Sequence, residues 1–292
     1  MTEQSKDPAE RRNAWKAIGI FLLITVALSA VFDVIMAEQG EMSLLMVTGV
    51  MWAPGIAAVL TCLYLRRSIA SLPWSWGSWK WNWHAWWLPI AYGLAMYIPV
   101  WLFGLGGSGF PNPETLSNWS SQVTGSPETS WPAVLLFVVI IGTIGIVGTA
   151  SRALGEEIGW RGFLIWEMRK VMSFGTLGIM SGLIWSVWHW PGILLTDYNA
   201  GTGNLSLQML LFTLSIAPAG VYYAYFTFKT NSLWPAVILH ASHNLFIQQV
   251  FTPLTIIGDS THFYVDEFGI LLPITSCIVA IYFWRRGKAE GL

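Results

Sequence analysis

The sequence has little charge, little histidine and almost no cysteine. Only 11% of its 292 residues are charged, whereas an ordinary soluble domain carries about 25%. Cys62 and Cys277 both fall inside apolar stretches, which excludes a disulfide framework and a thiolate metal cluster. The net charge is −1 and the basic residues form no patch, so we expect no nucleic-acid partner. Five histidines are too few for an iron-dependent membrane desaturase.

Long apolar runs are abundant instead. Hydrophobic residues make up 54% of the chain, and the mean hydropathy is +0.53. Crossing about 30 Å of hydrocarbon requires roughly 20 largely apolar residues. Eight windows have that length, near residues 16–36, 43–65, 85–105, 132–165, 174–195, 207–227, 233–252 and 268–284. The sequence therefore predicts an all-α, polytopic protein of eight transmembrane helices, with residues 1–292 as a single membrane domain and residues 1–15 as a cytoplasmic tail.

In this eight-helix arrangement, all 15 Lys and Arg residues fall on the same side of the membrane. Short cytoplasmic loops are known to collect such residues. The connections on the other side contain neither Lys nor Arg: 37–42, 106–131, 196–206 and 253–267. Acidic residues such as Asp197, Asp266 and Glu267 lie there instead. The pattern predicts that both termini are cytoplasmic and that these four connections are exterior.

Two connections have an unusual composition. Residues 74–87 contain seven of the 19 tryptophans, and Trp prefers the headgroup region of a bilayer. We interpret this segment as an interfacial anchor, and its near-alternation of Trp also permits a short hairpin on the membrane surface. Residues 106–130 are rich in Gly, Pro, Ser and Thr, which predicts an irregular exterior segment.

Three charged side chains lie close together in the fourth apolar window: Glu156, Glu157 and Arg161. A charge at the centre of a membrane helix costs about 2.5–3.5 kcal/mol, so such residues indicate a functional site. Glu157 and Arg161 stand four residues apart, in the order that favours a helical ion pair. Glu156 lies about 100° away around the helix and is left free for chemistry.

Two later windows carry further polar groups. His189 lies on an otherwise apolar helix, while His240 and Asn244 share one face of the seventh window, flanked by His243. If the fourth and fifth helices form a hairpin that turns near residues 171–173, Glu156 and His189 lie at the same height, roughly 24 Å from the turn. We therefore expect helices 4, 5 and 7 to form one polar cavity.

The fourth helix poses a difficulty of length. A straight helix over residues 131–170 would be about 60 Å long, twice the hydrocarbon thickness. It must therefore bend or tilt, and the glycines at positions 142, 145 and 148 are candidates for the bend. The charged segment would then line a water-filled cavity.

These motifs resemble those of the CPBP family, which contains CAAX proteases, among them the type II CAAX prenyl endopeptidases, and bacteriocin-processing enzymes. EExxxR, a histidine four residues after an aromatic, and HxxxN occur in order within residues 140–250. The resemblance assigns site residues by position: Glu156, Glu157, Arg161, His189, His240 and Asn244. Trp185 stands where the family pattern typically has Phe, and His243 is outside the motif. Both are candidates for the cavity wall.

The residues and the resemblance together predict an intramembrane endopeptidase. Glu156, assisted by His189, would activate water, and His240 with Asn244 would stabilise the oxyanion, without a metal cofactor. Glu157 and Arg161 would support the site. The alternative is a zinc metalloprotease with Glu156, His189 and His240 as ligands, although the HExxH pattern of many zinc proteases is absent.

Two non-proteolytic classes remain open. A bacteriocin immunity or binding protein would keep the same residues as a polar network, and a proton-coupled transporter would also bury such groups, although no inverted halves are visible. For a protease, the resemblance implies a membrane-associated protein or peptide substrate, prenylated at a CAAX C-terminus in part of the family. We expect the chain in the cell membrane, with its cavity open to the cytoplasm.

Overall fold

A computed structural model describes residues 7–40, 42–201 and 203–292, so residues 1–6 of the predicted tail lie outside it. Within these ranges the chain forms nine α-helices and no β-strand, which confirms the all-α class. The helices are α1 (Pro8–Gln39), α2 (Leu44–Tyr64), α3 (Trp79–Phe103), α4 (Pro113–Thr124), α5 (Trp131–Arg169), α6 (Phe174–Leu195), α7 (Leu205–Thr230), α8 (234–254) and α9 (Leu271–Ala289).

Five of these helices are long and apolar enough to cross a membrane by length and composition: α1, α2, α3, α5 and α7. The helices α6 and α9 both pack along α7, and α8 packs against α3 and α5. Eight of the nine helices correspond to the eight apolar windows. The eight-span topology and the cytoplasmic position of both termini stay predictions.

Two helices begin earlier than predicted. Residues 8–15, expected in the tail, form the first turns of α1, because the Asp7 side chain accepts a hydrogen bond from the Ala9 amide and Pro8 occupies the first helical position. The helix α3 begins at Trp79 rather than at residue 85. Much of the tryptophan-rich segment is therefore the start of a helix, and the described residues contain no hairpin there.

The composition of residues 106–130 predicts an irregular segment throughout. The structure corrects this prediction, because the segment contains the helix α4. The Asn112 side chain accepts a hydrogen bond from the Glu114 amide, and Pro113 opens the helix. Trp119 stacks against Phe137 of α5, with ring centroids 5.3 Å apart. The residues that suggested a loop mark the two ends of this helix, because Asn and Pro begin helices and Gly often ends them.

The long helix α5 is interrupted by two π-helical turns, Ile141–Gly145 and Ile158–Leu164. Such turns are rare, and they occur frequently at functional sites. Gly142 and Gly145, two of the three glycines expected to disturb the helix, lie in the first turn. The second turn directly follows Glu156 and Glu157.

The connections gather at two opposite ends of the helix bundle. One end, which we call the basic end, consists of residues 65–78, 170–173, 230–233 and 285–292. Ion pairs there join Arg67 to Glu167 and Lys229 to Glu290. The acidic end consists of residues 42–43, 104–130, 196–201 and 255–270, where Gly109 and Ile256 form an isolated antiparallel bridge. This grouping agrees with the alternation of basic and non-basic connections along the sequence.

Candidate active site

Glu156 lies on α5 with only 1% of its surface exposed. Its Oε2 atom accepts hydrogen bonds from Trp185 Nε1 at 2.7 Å and from Trp160 Nε1 at 3.3 Å. Trp160 follows one helical turn later on α5, and Trp185 comes from α6. Both donors use the same carboxylate oxygen, so the described residues leave Oε1 without a protein donor. The side chain is thereby held in place while one oxygen stays available.

Glu157 forms the ion pair with Arg161 that the spacing predicts, with Glu157 Oε1 and Arg161 Nη1 3.1 Å apart. The same oxygen accepts a hydrogen bond from His240 Nδ1 at 2.9 Å. The Arg161 guanidinium lies between the rings of Trp185 and Tyr223, 4.2 Å from each ring centroid. Cation–π contacts are strongest where water is excluded. Glu157 and Arg161 therefore connect α5 to α6, α7 and α8.

His189 is fixed in both orientation and tautomer. Its Nδ1 atom lies 2.8 Å from the carbonyl oxygen of Trp185. A carbonyl only accepts, so Nδ1 carries the proton, and Nε2 of the neutral ring is left with its lone pair. The ring contacts Trp188, Phe212 and Tyr198, with centroids 4.7, 5.2 and 6.1 Å away. His189 can therefore accept a proton at Nε2.

One cavity of about 570 Å³ is lined by all four side chains predicted to be catalytic: Glu156, His189, His240 and Asn244. They come from α5, α6 and α8, the helices expected to form it. Trp185 and His243, the two candidates for its wall, also line it. Glu157 and Arg161 lie behind the wall and reach the cavity through His240 and Trp185. The arrangement places an acid, two imidazoles and an amide around one space.

The cavity extends from these residues toward the acidic end, where its lining comes from the connections: Met42, Asp197, Tyr198, Asn199, Asp266 and Glu267. A separate groove of about 680 Å³ lies at the basic end, lined by residues such as Arg67 and Lys170. Among the described residues, the groove and the cavity share no lining residue. The side of the membrane that this end faces, and with it the expected cytoplasmic opening, stays a prediction.

A second polar cluster, the Glu267 cluster, lies beside the site. Tyr92 OH and His243 Nδ1 are 2.6 Å apart, His243 Nε2 lies 3.3 Å from Glu267 Oε1, and Tyr198 OH donates to Glu267 Oε2 at 2.7 Å. Burial and the Glu267 carboxylate raise the pKa of Tyr198, so its phenol stays protonated and donates. The Glu267 cluster joins α3 and α8 to two connections at the acidic end.

The residues of the Glu267 cluster share no spacing motif. Tyr92, Tyr198 and Glu267 lie in three distant segments, so only the fold reveals that they meet at His243. The one available signal was Glu267 itself, a carboxylate at the edge of an apolar window. Trp160 and the indole N–H of Trp185 were likewise missed as donors to Glu156, because tryptophan in a membrane helix is commonly a packing residue.

The zinc alternative requires Glu156, His189 and His240 to converge as ligands. Among the described residues, no group of three His, Cys, Asp or Glu side chains is arranged to hold a metal ion. His240 Nδ1 is engaged with Glu157, and Glu156 Oε2 is engaged with two indoles. The described residues leave His240 Nε2, His189 Nε2 and Glu156 Oε1 unengaged, but without the convergence that a three-ligand site needs we derive no step through a metal.

The fold and site define a helical membrane protein with a buried carboxylate–imidazole centre. Residues 128–246, which contain all three motifs, match a family model described as type II CAAX prenyl endopeptidase Rce1-like. A CAAX prenyl protease 2 from Methanococcus maripaludis is 32% identical over 127 residues. That match covers 42% of this chain and 44% of the relative, so the chain spans less than half the length of this relative. The family model covers the stretch that carries the motifs, and both matches agree with the resemblance of those motifs to the CPBP family.

Proposed function

We propose that the chain is an intramembrane endopeptidase that hydrolyses a peptide bond of a membrane-associated protein or peptide. The observation that carries this proposal is the single cavity lined by Glu156, His189, His240 and Asn244. The match to a CAAX prenyl endopeptidase family over residues that include the motifs, and the similarity to a CAAX prenyl protease, support the reaction class. Peptide hydrolysis needs an activated water and a stabilised oxyanion, and these four side chains can supply both.

Water activation is assigned to Glu156 and His189. Trp185 and Trp160 hold Glu156 Oε2, so Oε1 is the oxygen that takes a proton from the attacking water. His189 presents the lone pair of Nε2, because its Nδ1 proton is committed to the Trp185 carbonyl. The proton then passes to the leaving amine, which completes general base and general acid catalysis with the same pair.

Oxyanion stabilisation is assigned to His240 and Asn244. His240 donates from Nδ1 to Glu157, so it can also donate from Nε2 only as an imidazolium ion. Glu157 supplies the compensating negative charge next to that ring. Asn244 follows one turn later on α8 and donates through its side-chain amide. Arg161 acts as a positioning residue, because it pairs with Glu157 without lining the cavity.

The Methanococcus relative is a CAAX prenyl protease, which makes a prenylated C-terminal CAAX sequence the first substrate class to test. A peptide held in the membrane by an apolar segment is the second class. Apolar residues such as Leu44, Val47 and Met51 form one wall of the cavity, and they can contact either a lipid chain or an apolar segment. Both classes bring the scissile bond to the depth of the site.

The test uses two peptides that differ only in a farnesyl group on the cysteine of a C-terminal CAAX sequence, together with the membrane peptidome of expressing cells. Cleavage by the purified chain should disappear in Glu156→Gln. Glu167→Gln is the matched control, because Glu167 is a buried glutamate of the same helix that pairs with Arg67 and Lys170 at the basic end. It should remain active.

An unchanged peptide pattern between the wild-type chain and Glu156→Gln, in the peptidome and in both peptides, would contradict the proposal. The bacteriocin immunity alternative would then gain support, since binding can survive loss of the carboxylate. Glu156→Gln must first be shown to fold like the wild type. The amide keeps an oxygen that can accept from Trp185, so we expect the fold to persist.

A further inference from the structure

We infer that the cavity opens at the acidic end, so that a substrate reaches Glu156 from the exterior face of the membrane. That a substrate uses the opening rests on the proposed function, whereas the direction of the opening does not. Three features carry the inference: the origin of the lining residues, the height of the site along α6, and the closure of the basic end.

The lining residues beyond the site come from the acidic end. Asp197 and Asn199 belong to the connection between α6 and α7, and Asp266 precedes α9. Asp197 is exposed, and Gln249 near the end of α8 is exposed as well, so the cavity meets solvent there. Arg152 is the one Lys or Arg residue among the described lining residues, and it lies within α5.

The height of the site along α6 points the same way, whereas its height along α8 does not favour the acidic end. His189 is about 9 Å along the helix axis from Leu195, the last residue of α6, and about 23 Å from Phe174 at the basic end. Asn244 lies about 15 Å from either end of α8. His240 is about 9 Å from Trp234, the first residue of α8. Because His240 lies closer to the basic end of α8, the direction of the opening depends on whether that end is closed.

The segment 65–78 closes that end. The Leu233 amide donates to the carbonyl of Pro73 at 3.0 Å, and Trp234 Nε1 donates to the carbonyl of Trp74 at 3.0 Å. Part of the tryptophan-rich segment thus lies across the start of α8. Deeper in the bundle, Trp160 and Arg161 are each 1% exposed and fill the space between Glu156 and the basic end.

The charge pattern then fixes the side of the membrane. Lys and Arg collect in cytoplasmic loops, and the connections of the acidic end contain neither. The end that holds the opening is therefore exterior. A protein confined to the cytoplasm cannot reach the site by this route. Of the two substrate classes proposed above, this favours a peptide held in the membrane by an apolar segment and presented at the outer face over a prenylated CAAX sequence on the cytoplasmic side.

Cysteine labelling tests the direction of the opening. Cys62→Ala and Cys277→Ala remove the native thiols, and Asp197→Cys then places one thiol in the cavity lining. Ala70→Cys is the matched control, because Ala70 is an exposed loop residue that lines the groove at the basic end. Each variant is treated with a membrane-impermeant maleimide in right-side-out and in inside-out vesicles. Gln249→Cys replaces Asp197→Cys if the latter does not fold.

The inference requires the cavity thiol to be labelled in right-side-out vesicles and the Ala70→Cys thiol only in inside-out vesicles. The reverse result would overturn it, because the cavity would then open to the cytoplasm. A cavity thiol that reacts from neither side would also overturn it. Labelling requires no catalysis, so a chain without protease activity can still give either result. Failure of the inference is therefore distinct from failure of the proposed function.

Discussion

Removal of the Arg161 side chain should destabilise the protein strongly. The side chains of Arg161 and Glu157 are 1% and 0% exposed, so water cannot stabilise either charge when its partner is removed. Arg161→Met keeps much of the side-chain volume between the rings of Trp185 and Tyr223 but leaves the Glu157 carboxylate buried without its cation. The expected effect is a loss of stability with the helices still formed.

The magnitude follows from the burial of the pair. Breaking a buried ion pair by removing one partner costs about 3–5 kcal/mol when the remaining charge stays uncompensated. We expect the lower end of that range, because His240 Nδ1 still contacts Glu157 Oε1 at 2.9 Å. The same substitution also removes the two cation–π contacts of Arg161 with Trp185 and Tyr223, which adds to the loss of stability. Since total stabilities are about 5–15 kcal/mol, Arg161→Met should remove a large share of the free energy of unfolding.

A double-mutant cycle isolates the pair from these contacts. Glu157→Gln removes the charge and retains an oxygen that can accept from His240 Nδ1. The double variant should cost less than the sum of the two single variants, with a coupling of about 1–3 kcal/mol. The assay is reversible unfolding in mixed micelles, followed by circular dichroism. A change below about 1 kcal/mol for Arg161→Met, or strictly additive effects, would refute the reasoning.

Three further predictions concern the site and its surroundings. Trp185→Phe removes the hydrogen bond to Glu156 Oε2 but keeps a ring beside Arg161, so steady-state kinetics should show a fall in kcat of about tenfold with the fold intact. Burial and then Glu267 raise the pKa of Asp266 to about 7. The folded state therefore retains a proton that the unfolded state loses above about pH 4, so the wild-type Tm should fall between about pH 4 and pH 7. Asp266→Asn should show a flatter profile over that range. Finally, cleavage should persist in protein shown by elemental analysis to be free of metal, whereas loss of activity on chelation and its return with zinc would establish the metalloprotease alternative.

Local spacing predicted the parts of the site that lie within one helix. Glu157 and Arg161 stand four apart, which sufficed to predict their ion pair, and the same spacing places His240 and Asn244 on one face of α8. A hairpin of known pitch predicted the same height for Glu156 and His189, and both side chains line one cavity. Such regularities are visible in a sequence because helical geometry is fixed.

Contacts between helices were not predictable in the same way. Trp185 donates to Glu156, and Tyr198 donates to Glu267, through side-chain directions that depend on how the helices rotate against each other. Helix boundaries depended on caps, such as Asp7 before α1 and Asn112 before α4, which composition alone does not separate from loop residues. The direction of the cavity required both the charge pattern and the packed connections.

The central claim is that the carboxylate of Glu156 activates the water that cleaves the peptide. The most direct measurement is the cleavage rate of metal-free Glu156→Gln beside that of the metal-free wild type, on a peptide that the wild type cuts. General acid–base catalysis contributes about 10²–10⁴-fold, so a folded Glu156→Gln should lose at least about 100-fold in kcat. Wild-type cleavage rates in that folded variant would contradict the account.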